Sequence, residues 1–546
     1  MQRIFNGFFA HVTRGWIWPI IQVTLLTLVV ACDSNVDSSS VFPNSVVPVV
    51  SEPKFNDVPS EGKDSLTPEE EIAFEAQATN ILAQNCVVCH QLPDLNRPGM
   101  AFMSNGVTSQ ALQARNYIVP GKPYLSYLYQ RMASKSMPPD QPLSGDQIDV
   151  IRKWIEFLPI SKAGKGQERV SVNDDVLVKD VETDLDGLSL TDLPFTRYLS
   201  LANLYNRTDI SDQELEIHRQ ALTKLINSLS WNPNIIQLKT VKDPKILYRL
   251  DTRVFLIPTA WDQSMATYPY NLSVTDVQRF QNVKDRLGTQ VPIVRADWFL
   301  FTASQPPLYH TLLDIPASEQ ELETRLAFNS TTNIRNVNVL RSGFANSGVA
   351  NYNRVIERHN TSFGAYWKSY DFSSETGRQD ILLNPLGPSI VYEPDLTQIV
   401  GNRTFQHAGG EVIFHLPNRM QAYLLVNAAG KRLDQAPIEI VTDPNQPDRV
   451  VTNGVSCNTC HVTGFIHTPD NVRSLYGTDP SPADVSAAYV DLVLKLYPIE
   501  SQFKTVMDQD SNQFVDALKQ TGNDPANRDT IIISVDTYRD TVSSGK

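Results

Sequence analysis

The sequence predicts a mixed α+β chain: a small all-helical module near its start, then a large region of helices and hairpins. Three observations predict this. Capping boxes precede helical runs in three separate places, apolar runs flank turn residues further along, and the composition is that of a folded protein, 41% hydrophobic and 20% charged. At 546 residues the chain has room for about three or four domain-sized units, and its composition excludes disorder throughout, collagen and coiled coil. Its net charge is −13, from 47 basic and 60 acidic residues. That balance speaks against nucleic-acid binding and against broad attraction to anionic lipid.

Residues 1–31 carry Arg3 and Arg14, no acid, and a mostly apolar run from Trp16 to Ala31. The run is shorter than the ~20 residues that span a bilayer, so it reads as an export signal. Leu28-Val29-Val30-Ala31-Cys32 resembles the lipobox of bacterial lipoproteins. The resemblance implies cleavage before Cys32, lipid on Cys32, and a membrane-anchored protein of the periplasm or cell envelope. Asp33, directly after it, resembles the inner-membrane retention signal of some bacteria. Residues 32–65 contain Pro43, Pro48, Pro53 and Pro59 and no periodic pattern, and read as a flexible tether.

Residues 66–160 form the helical module. Thr67, Pro68 and Glu70 make a helix start, and Ser144 with Gln147 makes a second capping box. Ile148, Ile151, Trp154, Ile155 and Leu158 then mark one apolar helical face. Between these helices stands Cys86-Val87-Val88-Cys89-His90, and far downstream Cys457-Asn458-Thr459-Cys460-His461 repeats the pattern. C-x-x-C-H is the c-type haem attachment motif. Two thiols three residues apart reach the two vinyl groups on one porphyrin edge, and the adjacent imidazole binds iron. Alone, either match could be a redox C-x-x-C or half a zinc site. The two together use every cysteine except Cys32, which predicts two covalent haems and leaves no cysteine for a disulfide.

The two helices enclosing the first motif resemble class I cytochrome c. That family supplies a sixth iron ligand from a methionine before its last helix, and Ser136-Met137-Pro138-Pro139 matches the pattern. The resemblance implies iron held by His90 and Met137; Met100, Met103 and Met132 read as packing. Such ligation favours electron transfer with a redox partner protein.

Residues 161–190 read as a linker and 191–450 as an α+β middle region. Ser211 and Glu214 cap a helix to Trp231 with Leu215, Leu222, Leu225, Ile226 and Leu229 on one face, where His218 reads as a core histidine. Glu411–Leu416 and Met420–Val426 predict a hairpin around Pro417-Asn418, with another turn at Ala428–Lys431. Arg295 to Phe299, Pro306 to His310, Asn353-Arg354 through His359, Gly364 to Phe372, Gly409 through Asn418, and Asn453-Gly454 resemble a family of large, mostly uncharacterised bacterial c-type cytochromes. The resemblance spans roughly 190–540. It implies that residues 451–546, carrying the second haem on Cys457, Cys460 and His461, pack on the middle region.

The sixth ligand of the second haem stays open at this level. His310, His359, His407, His415, His467, Met420 and Met507 are the candidates, with His359 and His407 better placed by sequence and an open iron as the third case. An open iron would make the chain a peroxidase-like oxidoreductase, with His359 moving protons and Arg358 stabilising negative charge. Arg354 and Arg358 would share a face if helical, with Tyr366, Trp367 and Tyr370 nearby. A haem-containing sensor or interaction subunit is the third class. Asp508–Asn512 begins like a calcium loop, but Gln513 and Lys519 replace the turn glycine and the closing Glu.

Overall fold

Capping residues and glycines set the element boundaries. The computed structural model describes residues 68–90, 103, 106–135, 137–138, 141–158, 169–255, 261–345, 347, 349–388, 391, 397–443, 446, 448–478 and 484–543. The export signal, Cys32, the tether, the Thr67 cap, Met100 and residues 159–168 lie outside the described residues. Among the described residues, no helix is long and apolar enough to cross a membrane.

The first helices are α1 (Pro68–Asn85), α2 (Val87–His90), α3 (Ser109–Ala114), α4 (Tyr127–Ala133) and α5 (Gly145–Phe157). α5 begins at the expected capping box: Ser144 Oγ accepts from the Gln147 amide, and the Gln147 side chain accepts from the Ser144 amide. Its face of Ile151, Trp154 and Ile155 is buried together with Ala78 and Leu82 of α1, and the two helices pack on each other. Glu75 of α1 joins these helices to α3, accepting from the Ser109 amide at 3.1 Å and from the Trp154 indole.

The larger part opens with α6 (Asp174–Leu185), β1 (Thr196–Ser200), α7 (Ala202–Tyr205), α8 (Asp212–Ser228), β2 (Lys239–Thr240) and β3 (Leu247–Asp251). It continues with α9 (Trp261–Ser264), α10 (Val277–Leu287), β4 (Ile293–Arg295), α11 (Ala296–Ala303), α12 (Leu308–Leu312), α13 (Glu319–Arg325) and α14 (Ser330–Arg335). β1 to β4 form one sheet in the order β2-β3-β1-β4, with β1 parallel to β4. Next come β5 (Leu340–Phe344), β6 (Arg354–Thr361), β7 (Gly364–Asp371), α15 (Thr397–Val400), β8 (Gly409–His415), β9 (Gln421–Asn427) and β10 (Arg432–Leu433). β5 to β10 make a six-stranded antiparallel meander. The chain ends in α16 (Val455–Cys460), α17 (Val472–Tyr476), α18 (Ala487–Leu496), α19 (Glu500–Gln520) and α20 (Thr530–Ser543). The protein is mixed α+β, as predicted.

The expected hairpin is β8–β9, registered from His415 opposite Gln421 to Gly409 opposite Asn427. The following turn closes through the Asn427 amide on Lys431 O at 3.0 Å. The acidic stretch Asp508–Asn512 lies inside α19 and is helix, not a calcium loop.

α8 carries the predicted reciprocal cap, and its apolar face is buried against α11 and α20. His218 is the core residue expected: its Nδ1 lies 2.9 Å from Ser534 Oγ, whose own hydrogen goes to Thr530 O. The ring therefore donates and is neutral. Burial holds its pKa down at about 4. A histidine depressed in the folded state contributes stability above its unfolded pKa, and that contribution is lost as pH falls from about 6.5 toward 4. His218→Gln is expected to flatten the acid limb of urea-unfolding stability by on the order of 3 kcal/mol. An unchanged limb would remove His218 as a source of acid sensitivity.

Candidate haem-attachment sites

The first motif sits at a helix junction. The Cys86 amide donates to Leu82 O at 2.9 Å, and the amides of Cys89 and His90 return to Cys86 O at 3.2 and 3.0 Å. One tight turn therefore holds both thiols and the imidazole. Cys86 is half-buried against the module core and Cys89 is exposed. Burial, with Cys89 adding, pushes the Cys86 thiol up to about 11. Met103 and Met132 are core residues, 1% and 2% exposed. Met137 stands apart, half-buried in the loop after α4, with its amide donating to Arg131 O at 3.1 Å.

The second motif is α16 itself, with Cys457 and Cys460 one turn apart and His461 at the C-cap. Gly454 starts the helix at φ 81°, and a Cβ there would fall 2.5 Å from Ser304 O. Only glycine fits. His461 Nδ1 is 2.9 Å from Gly464 O, a group that can only accept. Nδ1 therefore carries the proton, and the lone pair is on Nε2, the tautomer and orientation a metal ligand needs. The position suits glycine, because at φ 100° an added Cβ would lie 2.8 Å from Ser511. Burial lowers the His461 pKa, raises Cys457 well above the thiol range and raises Cys460 to about 12.

Among the described residues, no group of three or more His, Cys, Asp or Glu side chains is arranged to hold one ion.

Strand register decides what faces the second motif. Directly opposed residues share a face, so Arg341, Glu357, His359, Tyr366, Lys368 and Tyr370 lie on one side of the meander. Arg354, Arg358, Trp367, Asp371, Glu411, His415 and Tyr423 lie on the other. The Tyr423 ring is 6.3 Å from that of His461, so this second face looks toward α16. The stretch around Arg354 and Arg358 is β6, where these two still share a face, and alternation sends Arg358 and His359 to opposite faces. The structure does not bring that pair together. Arg358 reaches Asp510 of α19 at 3.0 Å, and the Trp367 indole donates to the same carboxylate at 2.9 Å. His359 is fully buried, with Nε2 2.8 Å from Glu357 Oε1 and Nδ1 3.3 Å from Asn333.

The other candidates separate the same way. His407 packs edge-on against Tyr370, 5.0 Å between rings, and burial with Lys368 nearby holds it down at about 4. His310 lies 2.7 Å from Asn453 and 3.3 Å from Asp434. His467 Nε2 lies 2.5 Å from Glu500. Met420 and Met507 are buried in the main core. His415 is on the face toward α16 and fully buried, with Nδ1 accepting from the Ala365 amide at 3.4 Å and the ring beside the Asp510 backbone. Its strand setting points to a structural role by sequence. The signal that separates it from His359 is the two-residue alternation from Tyr423 and Ile413, legible only once the pairing is known.

Comparison of the chain with protein-family models, with curated proteins and with solved structures finds no match.

Proposed function

We propose that the chain is an exported, membrane-anchored di-haem c-type cytochrome that transfers electrons between redox partners. The observation that carries this reading is the doubled C-x-x-C-H, with both thiols within one turn of the histidine and, at the second copy, an Nδ1 bond that leaves Nε2 available. When bound, haem supplies one-electron chemistry. Cys86 and Cys89 would hold the first haem with His90 and Met137 as axial ligands. Cys457, Cys460 and His461 would hold the second.

In this reading residues 66–160 are the class I cytochrome c-like module and 161–190 the linker. Residues 191–450 form the scaffold for the second haem region at 451–546, and lipid on Cys32 ties the tether of 32–65 to the envelope. His415 lies on the sheet face toward α16, but its Nδ1 accepts from the Ala365 amide at 3.4 Å, so its Nε2 carries the proton and the ring in this tautomer offers no lone pair to a second iron.

A second, peroxidase-like reading leaves the second iron open. One observation favours it: His310, His359 and His467 are engaged elsewhere, and Met420 and Met507 are packed in the core. In that case Arg358, on the face toward α16, is better placed than His359, which lies on the opposite face.

EPR with peroxide addition separates the two. The electron-transfer reading expects two low-spin centres and no peroxide reaction; a high-spin centre consumed by peroxide would replace it with the peroxidase-like one. Met137→Ala is expected to abolish the methionine–iron charge-transfer band. Its persistence would show that another side chain is the ligand.

A further inference from the structure

The helical module is not merely strung beside the larger part; it is docked on it. Lys122 Nζ lies 2.7 Å from Glu214 Oε1 of α8 and donates to Asp209 O at 2.8 Å. Both partners of that ion pair are only 20% exposed, so solvent screens it less than an open surface pair. Arg528, just before α20, lies over the Tyr127 ring of α4 at 4.8 Å. Its amide donates to Arg115 O at 3.2 Å, and its guanidinium is held by Asp536 at 2.5 Å. Tyr127 is also sandwiched by Tyr117 at 6.0 Å between rings and by Arg131 at 5.9 Å.

The same α20 packs against α16 and against the turn Pro123–Leu125 that precedes α4. α20 therefore contacts both the helix of the second cysteine motif and the module. Electrostatics agree with that placement: the Arg131 charge acts on the Cys460 thiol, and Tyr127 lies within the field of Cys460. On the module's side, Arg131 O accepts from the Met137 amide, so the Met137 loop hangs on the same residue.

We infer that α4 is the internal bridge between the two cysteine motifs, with Tyr127 and Arg131 as positioning residues that turn the Met137 loop toward Cys460 and leave the exposed Cys89 edge for an outside partner. The inference rests on the di-haem reading. With haem held by Cys86, Cys89 and His90 and by Cys457, Cys460 and His461, each group would supply one-electron chemistry, one losing the electron that the other gains, and these side chains would keep their own oxidation state.

The test uses the full-length haem-loaded chain. Covalent haem is counted first, and fewer than two in the unaltered protein overturns the di-haem reading itself. Flash reduction then follows equilibration between the haems, while hydrogen exchange reports docking at residues 115–131. Lys122→Glu combined with Tyr127→Ala is expected to raise exchange in that segment and abolish the fast equilibration phase, with both haem spectra retained. Lys122→Arg keeps the ion pair and should keep the fast phase. A fast phase that survives in the double variant overturns the bridge. So does its loss in Lys122→Arg with exchange unchanged.

Discussion

On the di-haem proposal, Cys457→Ala with Cys460→Ala is expected to leave one covalently bound haem in place of two. Each motif closes its own turn, and no other cysteine stands near enough in sequence to substitute. The pyridine haemochrome content per chain should halve, and the intact mass should fall by one haem beyond the substitutions. The effect extends to the fold. Val455 and Cys457 belong to the main core with Tyr309 and Tyr423, so an empty seat there opens apolar surface to water. Thermal stability should fall with the haem, whereas Cys86→Ala with Cys89→Ala should disturb only the smaller core around Leu82 and Trp154. Equal haem content in the variant and the parent would remove α16 as an attachment site.

Glu357→Leu is expected to cost about 3–5 kcal/mol of folding stability, because it leaves a buried guanidinium without its counter-ion. The carboxylate and Arg341 are both wholly buried and 2.5 Å apart. It also takes hydrogen bonds from His359 at 2.8 Å and from the Tyr370 hydroxyl at 2.9 Å. Against the cost of burial, Arg341 and His359 hold the Glu357 carboxyl down at about 2. A carboxylate depressed in the folded state contributes stability above its unfolded pKa of about 4.3, and that contribution is lost as pH falls toward 2. Urea unfolding of Glu357→Leu should therefore differ most from the parent near neutral pH and converge with it in acid. Arg253→Ala makes the contrast: its partner Asp251 is 40% exposed, and such a pair is worth only about 0–1 kcal/mol. Equal losses for the two variants would refute the assignment of the meander's stability to its buried charges.

The helix starts at Ser144 and Ser211 were legible because a capping box is complete within four residues and depends on little else. The β8–β9 hairpin was legible because Pro417-Asn418 interrupts two apolar runs. Whether Arg354 and Arg358 stand on a helix or a strand was not legible, for a definable reason. Residues four apart share a face in a helix and in a strand alike, so the spacing does not distinguish the two. The immediate neighbour does: in a strand His359 points away from Arg358, and only pairing with β7, from Arg354 opposite Asp371 to Thr361 opposite Gly364, makes it a strand.

By itself the sequence determined where the reactive side chains stand along the chain. Two thiols and an imidazole lie within one turn at Cys86–His90 and again at Cys457–His461, with helix caps beside them, because both signals are local and covalently spaced. The tertiary structure decided what those turns face. It placed Tyr423 and His415 on the α16 side of the meander and His359 on the other, and set Tyr127 under Arg528. The docking of Tyr127 under Arg528 joins residues hundreds of positions apart, which no local pattern encodes. The strand faces depend on the register of consecutive hairpins and on which side of the meander α16 packs, and alternation alone does not say which face that is.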